Sequence, residues 1–224
     1  RLLDLGCGTG NAALLAAERG AAVTGVDPAD RLLEVASRRL SERDLKGRFV
    51  AGEAGALPFA DGEFDVATSV FGVIFAPDAD RAASELGRVC SVPARIVMTA
   101  WLPGGALAEA MRMRGEALTR IGGESPGQRF AWHDRAQVAA LLEPRGFSVH
   151  VSEHELPFVA SSAADFVATE LSTHPMWVAA RPALEAAGEF ERLSEWLLAH
   201  FEDVNEDPET FRITSRYVVI TARR

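Results

Sequence analysis

Short apolar runs alternate along the first part of the chain with longer segments whose apolar positions recur every three or four residues. The short runs are typical of strands buried on both faces of a parallel sheet, and the longer periodicity is typical of amphipathic helices. The predicted strands are Arg1–Leu5, Ala21–Val26, Arg48–Ala51, Phe64–Phe71 and Arg95–Trp101. The predicted helices are Asn11–Arg19, a segment capped by Asp30 that extends to Leu40, and a segment from Pro77 to about Cys90. Strands that alternate with helices predict an α/β, doubly wound and mostly parallel sheet.

The second half of the chain carries helical patterns between two further strands. Helices are predicted for Ala106–Ile121, for a segment that Asp134 caps and that runs through Leu142, and for Ala183–Phe201. The two strands are Phe147–Leu156 and Ser215–Ala222. We therefore predict a single domain over residues 1–224, with a helical cap at 157–210 inserted before the last strand and folded onto the sheet.

A glycine-rich turn joins the first predicted strand to the first helix, over the residues Leu5-Gly6-Cys7-Gly8-Thr9-Gly10-Asn11. Glycine allows positive φ angles and lets the backbone approach a ligand closely. In an open α/β sheet, ligands bind beyond the carboxyl ends of the strands, where the strand order reverses. Asp27 ends the second strand, where its carboxylate can accept both hydroxyls of a ribose, and Glu53 follows the third, where it can accept the amine of an adenine. These positions predict a nucleotide-like ligand.

Two nucleotide cofactors compete for this loop. A dinucleotide site favours the pattern G-x-G-x-x-G, which places a pyrophosphate at the helix N-terminus. Gly6 and Gly8 fit that pattern, but Asn11 occupies the third glycine position. Asp4 lies just before the loop, where a carboxylate repels a pyrophosphate and attracts an ammonium or a sulfonium group. The charge of Asp4 therefore favours S-adenosylmethionine over a nicotinamide dinucleotide.

Five short motifs follow one another in about the first hundred residues: Asp4-Leu5-Gly6-Cys7-Gly8-Thr9-Gly10, Val26-Asp27, Gly52-Glu53-Ala54, Leu57-Pro58-Phe59 and Phe64-Asp65. In this order and spacing they resemble the motifs of the class I S-adenosylmethionine-dependent methyltransferases. The resemblance is closest to the small-molecule group that includes the ubiquinone and menaquinone biosynthesis enzymes. It implies a seven-stranded Rossmann-like sheet whose last strand is antiparallel. It also implies helices ahead of the first strand, so we expect an N-terminal segment to precede Arg1.

The resemblance also assigns roles in cofactor binding. The cofactor-binding residues that we predict are Asp4, Gly6, Cys7, Gly8, Gly10, Asn11, Asp27, Pro28, Glu53, Ala54, Ser69, Val70 and Phe71. Among them the three glycines would hold the methionine moiety and Asp27 the ribose, while Glu53 and Ala54 would flank the adenine. The three residues at the end of the fourth strand would line the pocket.

The residues on the acceptor side are harder to assign, because methyl transfer mainly requires alignment of the reacting atoms and exclusion of water. A general base is needed only when the acceptor hydroxyl is weakly acidic. His133 is either a residue at the start of a helix or a substrate-side base, and His174 either faces the acceptor or packs within the cap. Phe75, Trp101 and Trp177 are the predicted substrate pocket, in which Trp101 is either a wall or a plug between sheet and cap.

Composition narrows the class of partner. Asp and Glu number 32 against 23 Lys and Arg, for a net charge of −9, which disfavours a nucleic-acid partner. No apolar run approaches the ~20 residues of a membrane span, and no charged-then-apolar leader opens the sequence. Cys7 and Cys90 lie far apart, which argues against a disulfide framework or a zinc site. We therefore expect a reduced, cytoplasmic protein without a metal or a membrane partner, with a small-molecule substrate and with a homodimer as its candidate assembly.

The predicted activity is transfer of a methyl group from S-adenosylmethionine to a small, partly apolar acceptor, with release of S-adenosylhomocysteine. Oxygen is the expected nucleophile, ahead of carbon and nitrogen. Two alternatives remain at this stage. One is a catalytically silent protein that keeps the fold for binding or assembly, and the other is an NAD(P)-dependent oxidoreductase.

Overall fold

The computed structural model of the chain describes residues 1–123 and 130–224. Its strands are β1 (Leu2–Leu5), β2 (Val23–Asp27), β3 (Gly47–Ala51), β4 (Phe64–Val70), β5 (Cys90–Trp101), β6 (Ser148–Ala160) and β7 (Phe211–Arg223). They form a seven-stranded sheet in the order β3-β2-β1-β4-β5-β7-β6. The first five strands pair in parallel, and β7 pairs antiparallel with β5. The predicted α/β class and the antiparallel last strand are confirmed.

The helices are α1 (Asn11–Glu18), α2 (Asp30–Glu42), α3 (Ala79–Val89), α4 (Gly105–Arg120), α5 (Arg135–Leu142), α6 (Ala163–Thr173), α7 (Pro175–Ala186) and α8 (Phe190–Asp203). Short 3-10 turns lie at Val73–Phe75 and Glu143–Arg145. Asp134 caps α5 as predicted, because its side chain accepts the backbone N–H groups of Ala136 and Gln137. The sequence therefore located most of these helices to within a few residues.

Two helix starts differ from the prediction. Asp30 is the first residue of α2 and not its N-cap, which is Ala29. Helix α3 begins at Ala79, because the carboxylate of Asp78 accepts the Arg81 N–H at 3.0 Å and so caps the helix after Pro77. A side chain that accepts an otherwise unpaired N–H defines a helix start more strongly than a proline does.

The single amphipathic helix predicted over Ala183–Phe201 is wrong. Helix α7 ends at Ala186 and α8 begins only at Phe190. Gly188 lies between them with a φ of 70°, in the left-handed region that ends helices, and the N–H of Glu189 bonds to the Leu184 carbonyl at 2.9 Å. The apolar stripe that looked continuous in the sequence therefore belongs to two helices.

The described residues form two compact units. The first comprises residues 1–101, 130–153 and 217–224, and the second comprises residues 102–123 and 154–216. Strands β6 and β7 each cross from one unit to the other along the chain. Helix α4 belongs to the second unit together with α6 to α8, whereas the predicted cap at 157–210 did not include it. The single domain over 1–224 and the cap at 157–210 stay predictions.

Each unit has an apolar interior of its own. In the first unit, buried residues of the sheet pack with buried residues of α1, α2 and α3; they include Leu3, Val26, Ala67, Ile96, Met98, Leu14, Ala36 and Leu86. In the second unit, aromatic rings pack face to face and edge to face, as in the stack of Phe166 on Phe211 at 4.8 Å. None of the helices in the described ranges combines the length and the apolar character needed to cross a bilayer.

The strand order reverses between β1 and β4, and two glycines lie in contact there. A Cβ atom added at Gly72 would lie 2.7 Å from the Leu5 carbonyl oxygen and 2.9 Å from the Gly6 Cα. A Cβ atom at Gly6 would lie 2.8 Å from the Gly72 Cα. Because neither backbone leaves room for a side chain, this contact restricts both positions to glycine.

Gly72→Ala is expected to destabilise the protein by roughly 1–3 kcal/mol, since the added methyl group overlaps backbone atoms that cannot move aside. The matched control is Gly87→Ala in α3, where the new Cβ would lie no closer than 3.6 Å to Arg145. That change is expected to be neutral or to stabilise by about 0.5–1 kcal/mol, because alanine favours the helix. Urea unfolding of both variants provides the measurement, and equal effects would refute the proposed close contact.

Candidate functional site

The loop between β1 and α1 is a tight turn made by its glycines. Gly6, Gly8 and Gly10 have φ angles of 66°, 53° and 84°, in the left-handed region that glycine adopts without strain. The N–H of Gly10 donates to the Cys7 carbonyl at 2.8 Å and closes the turn. A Cβ atom at Gly8 would meet no described atom within 4 Å, so the backbone here faces open space that a ligand can approach.

Cys7 takes part in this loop through its backbone. Its side chain is buried, and a Cβ atom placed on Gly25 of β2 would lie 2.9 Å from its sulfur. Burial raises the pKa of the Cys7 thiol far above its usual range. The side chain is therefore an inert part of the interior.

The Asp4 carboxylate lies beneath the loop and is only 1 % exposed. Its Oδ2 accepts the backbone N–H of Ala13 at 3.0 Å, and its Oδ1 accepts the Thr68 hydroxyl at 3.1 Å. Because Ala13 is in the first turn of α1, the carboxylate satisfies one of the unpaired N–H groups at that helix end. Burial raises the pKa of Asp4 to about 6. Asp4 therefore accepts hydrogen bonds from the protein itself, and its predicted attraction of the positive charges of a ligand stays a prediction.

The Asp27 carboxylate lies at the rim of the same loop. Its Oδ2 accepts the Gly8 N–H and its Oδ1 accepts the Ala29 N–H, both at 2.9 Å. The side chain is 8 % exposed and links the glycine loop to the turn before α2. Each carboxylate oxygen has a second lone pair. Asp27 can therefore still accept hydroxyl groups, as its predicted ribose role requires. Pro28 follows it on the surface.

Arg39 of α2 holds the far side of the loop, and sequence reasoning missed it. Its Nη1 donates to the Thr9 carbonyl at 2.8 Å, to the Thr9 hydroxyl at 3.2 Å and to the Asn11 side-chain oxygen at 2.8 Å. Asn11, a predicted cofactor residue, thus uses its amide oxygen within the protein. Arg39 lies 28 residues beyond Asn11, so no local spacing in the sequence signals this contact.

The end of β4 combines a buried serine with a partly exposed, strained aromatic residue. The buried Ser69 donates its hydroxyl to the Leu5 carbonyl at 2.7 Å and accepts the Val73 N–H at 2.8 Å. Val70 is exposed, as a pocket residue requires. Phe71 has a φ of 54°, and its N–H donates to the Thr99 hydroxyl oxygen at 2.9 Å.

Three aromatic rings meet beside this point. Phe71 stacks on Trp101 with ring centres 4.0 Å apart and planes 9° from parallel. Tyr217 of β7 lies opposite Trp101 in the sheet register and meets Phe71 and Trp101 edge-on, at 5.6 and 6.2 Å. All three rings are partly exposed. We call Phe71, Trp101 and Tyr217 the aromatic corner; the sequence indicated the first two and missed Tyr217.

Neighbouring strand ends bring the predicted cofactor residues to one edge of the sheet. The register pairs Leu5 with Val26 and Asp27 with Ala51, so β1, β2 and β3 end side by side. Glu53 is exposed just beyond β3, with Ala54 next to it, and its carbonyl accepts the Ala56 N–H at 3.0 Å. Phe75, also exposed, ends the 3-10 turn that follows β4.

His133 belongs to the first unit and is partly exposed. It directly precedes Asp134, and it is Asp134 that caps α5 with its carboxylate. The ring of His133 is therefore not the group that starts the helix. Its role as a substrate-side base stays a prediction.

His174 and Trp177 lie in the second unit. The Nδ1 of His174 accepts the Met176 N–H at 3.3 Å and caps α7. Burial and the nearby Arg114 guanidinium lower the pKa of His174. Trp177 is only 2 % exposed within the interior of that unit. The structure shows packing roles for both residues, and their acceptor-side roles stay predictions.

Comparison with known proteins finds similarity to a described family in the first part of the chain. Residues 2–92 match the family described as methyltransferase domain. An uncharacterized protein of Mycobacterium tuberculosis is 35% identical over 142 residues, which cover 63% of this chain and 52% of that protein. The demethylmenaquinone methyltransferase of Thermus thermophilus is 43% identical over 105 residues, 46% of this chain and 48% of that enzyme. The chain thus spans about half the length of the curated relatives it matches.

Solved structures extend the likeness of fold to the whole chain. The YcgJ protein of Bacillus subtilis superposes with a TM-score of 0.66 at 20% sequence identity, covering 100% of this chain and 91% of that one. At this identity the match shows the fold alone. The likeness of architecture therefore includes the second half of the chain, whereas the family match ends at residue 92.

Asp4→Asn replaces the buried carboxylate with a neutral group of the same shape. The pKa of Asp4 is about 6 in the folded protein, against about 4 in an unfolded chain, so the folded state binds this proton more tightly. The carboxyl group therefore contributes most to stability below pH 4, and that contribution, roughly 2–3 kcal/mol, is lost as the pH rises to about 6.

Urea unfolding of the wild type and Asp4→Asn at pH values from 4 to 7 measures this effect. The free energy of unfolding of the wild type, relative to that of the variant, is expected to fall over this range. A difference that does not change with pH would show that Asp4 is not held in the buried environment described above.

Proposed function

We propose that this chain is a class I S-adenosylmethionine-dependent methyltransferase, which the match of residues 2–92 to the methyltransferase domain and the similarity to a demethylmenaquinone methyltransferase support. In this function it transfers a methyl group from S-adenosylmethionine to a small-molecule acceptor and releases S-adenosylhomocysteine. Oxygen is the proposed nucleophile, ahead of carbon and nitrogen. The net charge of −9 supports a small acceptor over a nucleic acid, because a polyphosphate partner requires a basic surface. A relative named demethylmenaquinone methyltransferase supports the same class of acceptor.

The observation that carries the proposal is the Asp27 carboxylate at the end of β2, which accepts the N–H of Gly8 in the glycine loop. The free lone pairs of Asp27 fit ribose hydroxyls, and the open space at Gly8 fits a ligand lying against the backbone. Glu53 lies one strand further along the same edge, in the direction in which a nucleoside would extend. When bound, S-adenosylmethionine supplies a methyl group activated by its positively charged sulfur.

The chain itself then has to bind, orient and dehydrate the reactants. The glycine loop has a fixed shape for the cofactor because Arg39 and Asp27 bond to the loop and Asp4 bonds to α1. Proximity and alignment alone account for a large part of the acceleration of such a transfer. A base is required only for acceptors whose hydroxyl group is weakly acidic.

Of the two histidines, the geometry favours His133 as that base. The Nδ1 of His174 already accepts the Met176 N–H, so in the neutral ring the proton lies on Nε2. No ring lone pair then remains to receive a proton from the acceptor. His133, partly exposed in the unit that carries the glycine loop, has no such bond among the described contacts of its ring.

Asp27→Ala is expected to weaken the binding of S-adenosylhomocysteine by roughly 1.5–3 kcal/mol, the contribution of hydrogen bonds to a charged group. The matched control is Asp30→Ala, which removes an exposed carboxylate three residues away in α2. Isothermal titration measures both affinities. If the two variants bind alike, the ribose does not lie at Asp27.

The same titrations test the function itself. We expect binding of S-adenosylhomocysteine and none of NADH, and the reverse would identify an oxidoreductase. With a panel of phenols, acids and amines, S-adenosylmethionine should yield S-adenosylhomocysteine. Cofactor binding without this product for any acceptor would identify a catalytically silent protein.

His133→Ala is expected to lower kcat by about 10²–10⁴ for weakly acidic alcohols at saturating cofactor, and less for acidic phenols, because only the alcohols need a base. His174→Ala is expected mainly to lower stability, by about 0.5–2 kcal/mol, through loss of the α7 cap. Turnover assays and urea unfolding separate the two effects. An unchanged kcat in His133→Ala for every acceptor would leave alignment as the whole mechanism.

A further inference from the structure

Phe71 is held in a backbone conformation that a bulky residue rarely adopts. Its φ of 54° lies in the left-handed region, which favours glycine. Such strain persists where the surrounding structure enforces it, and it clusters at ligand sites. Here the Thr99 hydroxyl oxygen accepts the Phe71 N–H at 2.9 Å, and the next residue, Gly72, is packed against Gly6. The fold therefore maintains a strained residue whose ring lies flat against Trp101.

The aromatic corner has two walls at a steep angle to each other. Phe71 and Trp101 form one wall, with planes 9° apart. Tyr217, the only tyrosine of the sequence, forms the other, inclined by 64° to Phe71 and by 72° to Trp101. All three rings remain partly exposed.

Two such walls match a flat ring better than a saturated one. Aromatic rings prefer offset stacking on one neighbour and edge-to-face contact with another. A planar ligand that reached both walls would make both contacts at once. A puckered ring of the same size has no face to stack and no positively polarised edge, so it gains only the burial of apolar surface.

The corner also lies next to the cofactor loop. Phe71 directly precedes Gly72, whose backbone touches Gly6 of that loop. Trp101 ends β5 at the same edge of the sheet, because β4 and β5 are parallel and pair up to Val70 and Thr99.

We propose that the aromatic corner selects a planar aromatic acceptor, which Trp101 and Tyr217 contact directly. Thr99 is a positioning residue, because it holds the backbone of Phe71 and thereby aims its ring. The inference rests on the proposed function only in naming the ligand an acceptor. It adds the acceptor's chemical class and assigns Tyr217 and Thr99, neither of which is among the predicted site residues.

The test uses 2-naphthol and decahydro-2-naphthol, which share one carbon skeleton and differ in planarity. Their affinities are measured by isothermal titration with S-adenosylhomocysteine present. We expect the wild type to prefer 2-naphthol by at least about threefold, although the saturated compound is the more hydrophobic. Trp101→Leu and Tyr217→Leu are each expected to reduce this preference by about three- to tenfold, and Trp101→Phe to retain most of it.

Thr99→Val keeps the side-chain shape and removes only the oxygen that accepts the Phe71 N–H. It is expected to reduce the preference for 2-naphthol although residue 99 does not touch the ligand. If a ring variant fails to fold, this variant still tests whether the aromatic corner selects the acceptor. The matched control is Trp196→Leu, which removes a partly exposed ring stacked on His200 at 4.9 Å in the second unit. This control should leave the preference unchanged.

Two results would overturn the inference: equal affinity of the wild type for both naphthols, or an equal loss of preference in Trp101→Leu and Trp196→Leu. Failure of the proposed function looks different. In that case 2-naphthol binds with the expected preference, but no acceptor yields S-adenosylhomocysteine. Conversely, methyl transfer to saturated and aromatic alcohols with the same KM would refute the selection and leave the methyltransferase activity in place.

Discussion

The buried carboxylate of Asp4 joins the three elements on which the site is built. It lies at the end of β1, accepts an N–H from the first turn of α1, and accepts the hydroxyl of Thr68 in β4. A negative charge at a helix N-terminus is favourable because the unpaired N–H groups there carry partial positive charge. Burial works against that charge and raises the pKa of Asp4 to about 6. These hydrogen bonds tie the first turn of α1 to β1 and β4, and the glycine loop joins β1 to that turn.

The glycine loop makes further contacts of its own. Gly6 can lie directly against Gly72, since neither has a side chain. Gly8 turns its N–H towards Asp27, and Arg39 ties Thr9 and Asn11 to α2. The two carboxylates beside the loop thus differ in use. Asp4 is almost fully buried and bonds to α1 and β4, whereas Asp27 bonds to the loop from its rim and keeps lone pairs for a ligand.

In the proposed methyl transfer, a division of work between cofactor and protein would account for the small number of candidate catalytic groups. An activated methyl group needs a dry, aligned encounter more than it needs a nucleophile from the protein. The inert Cys7 thiol and the histidine that caps α7 are consistent with such a site. In that proposal, selection of the acceptor depends on how well its shape fits the protein. The aromatic corner is the feature of the first unit best suited to make this selection.

Features that depend on residues close together along the chain were predictable from the amino-acid sequence. Apolar runs and helical periodicity are local signals, so the parallel strands, the glycine loop and Asp27 at the end of β2 were all predicted. Other contacts became visible only in the folded chain. They are the partners of Asp4, the packing of Gly72 on Gly6, the bond from Arg39 to Asn11 and the place of Tyr217 opposite Trp101. These contacts join residues that only the order of strands in the sheet brings together, and periodicity carries no information about that order. The break at Gly188 escaped notice for a related reason, because two packed helices can share one apolar stripe.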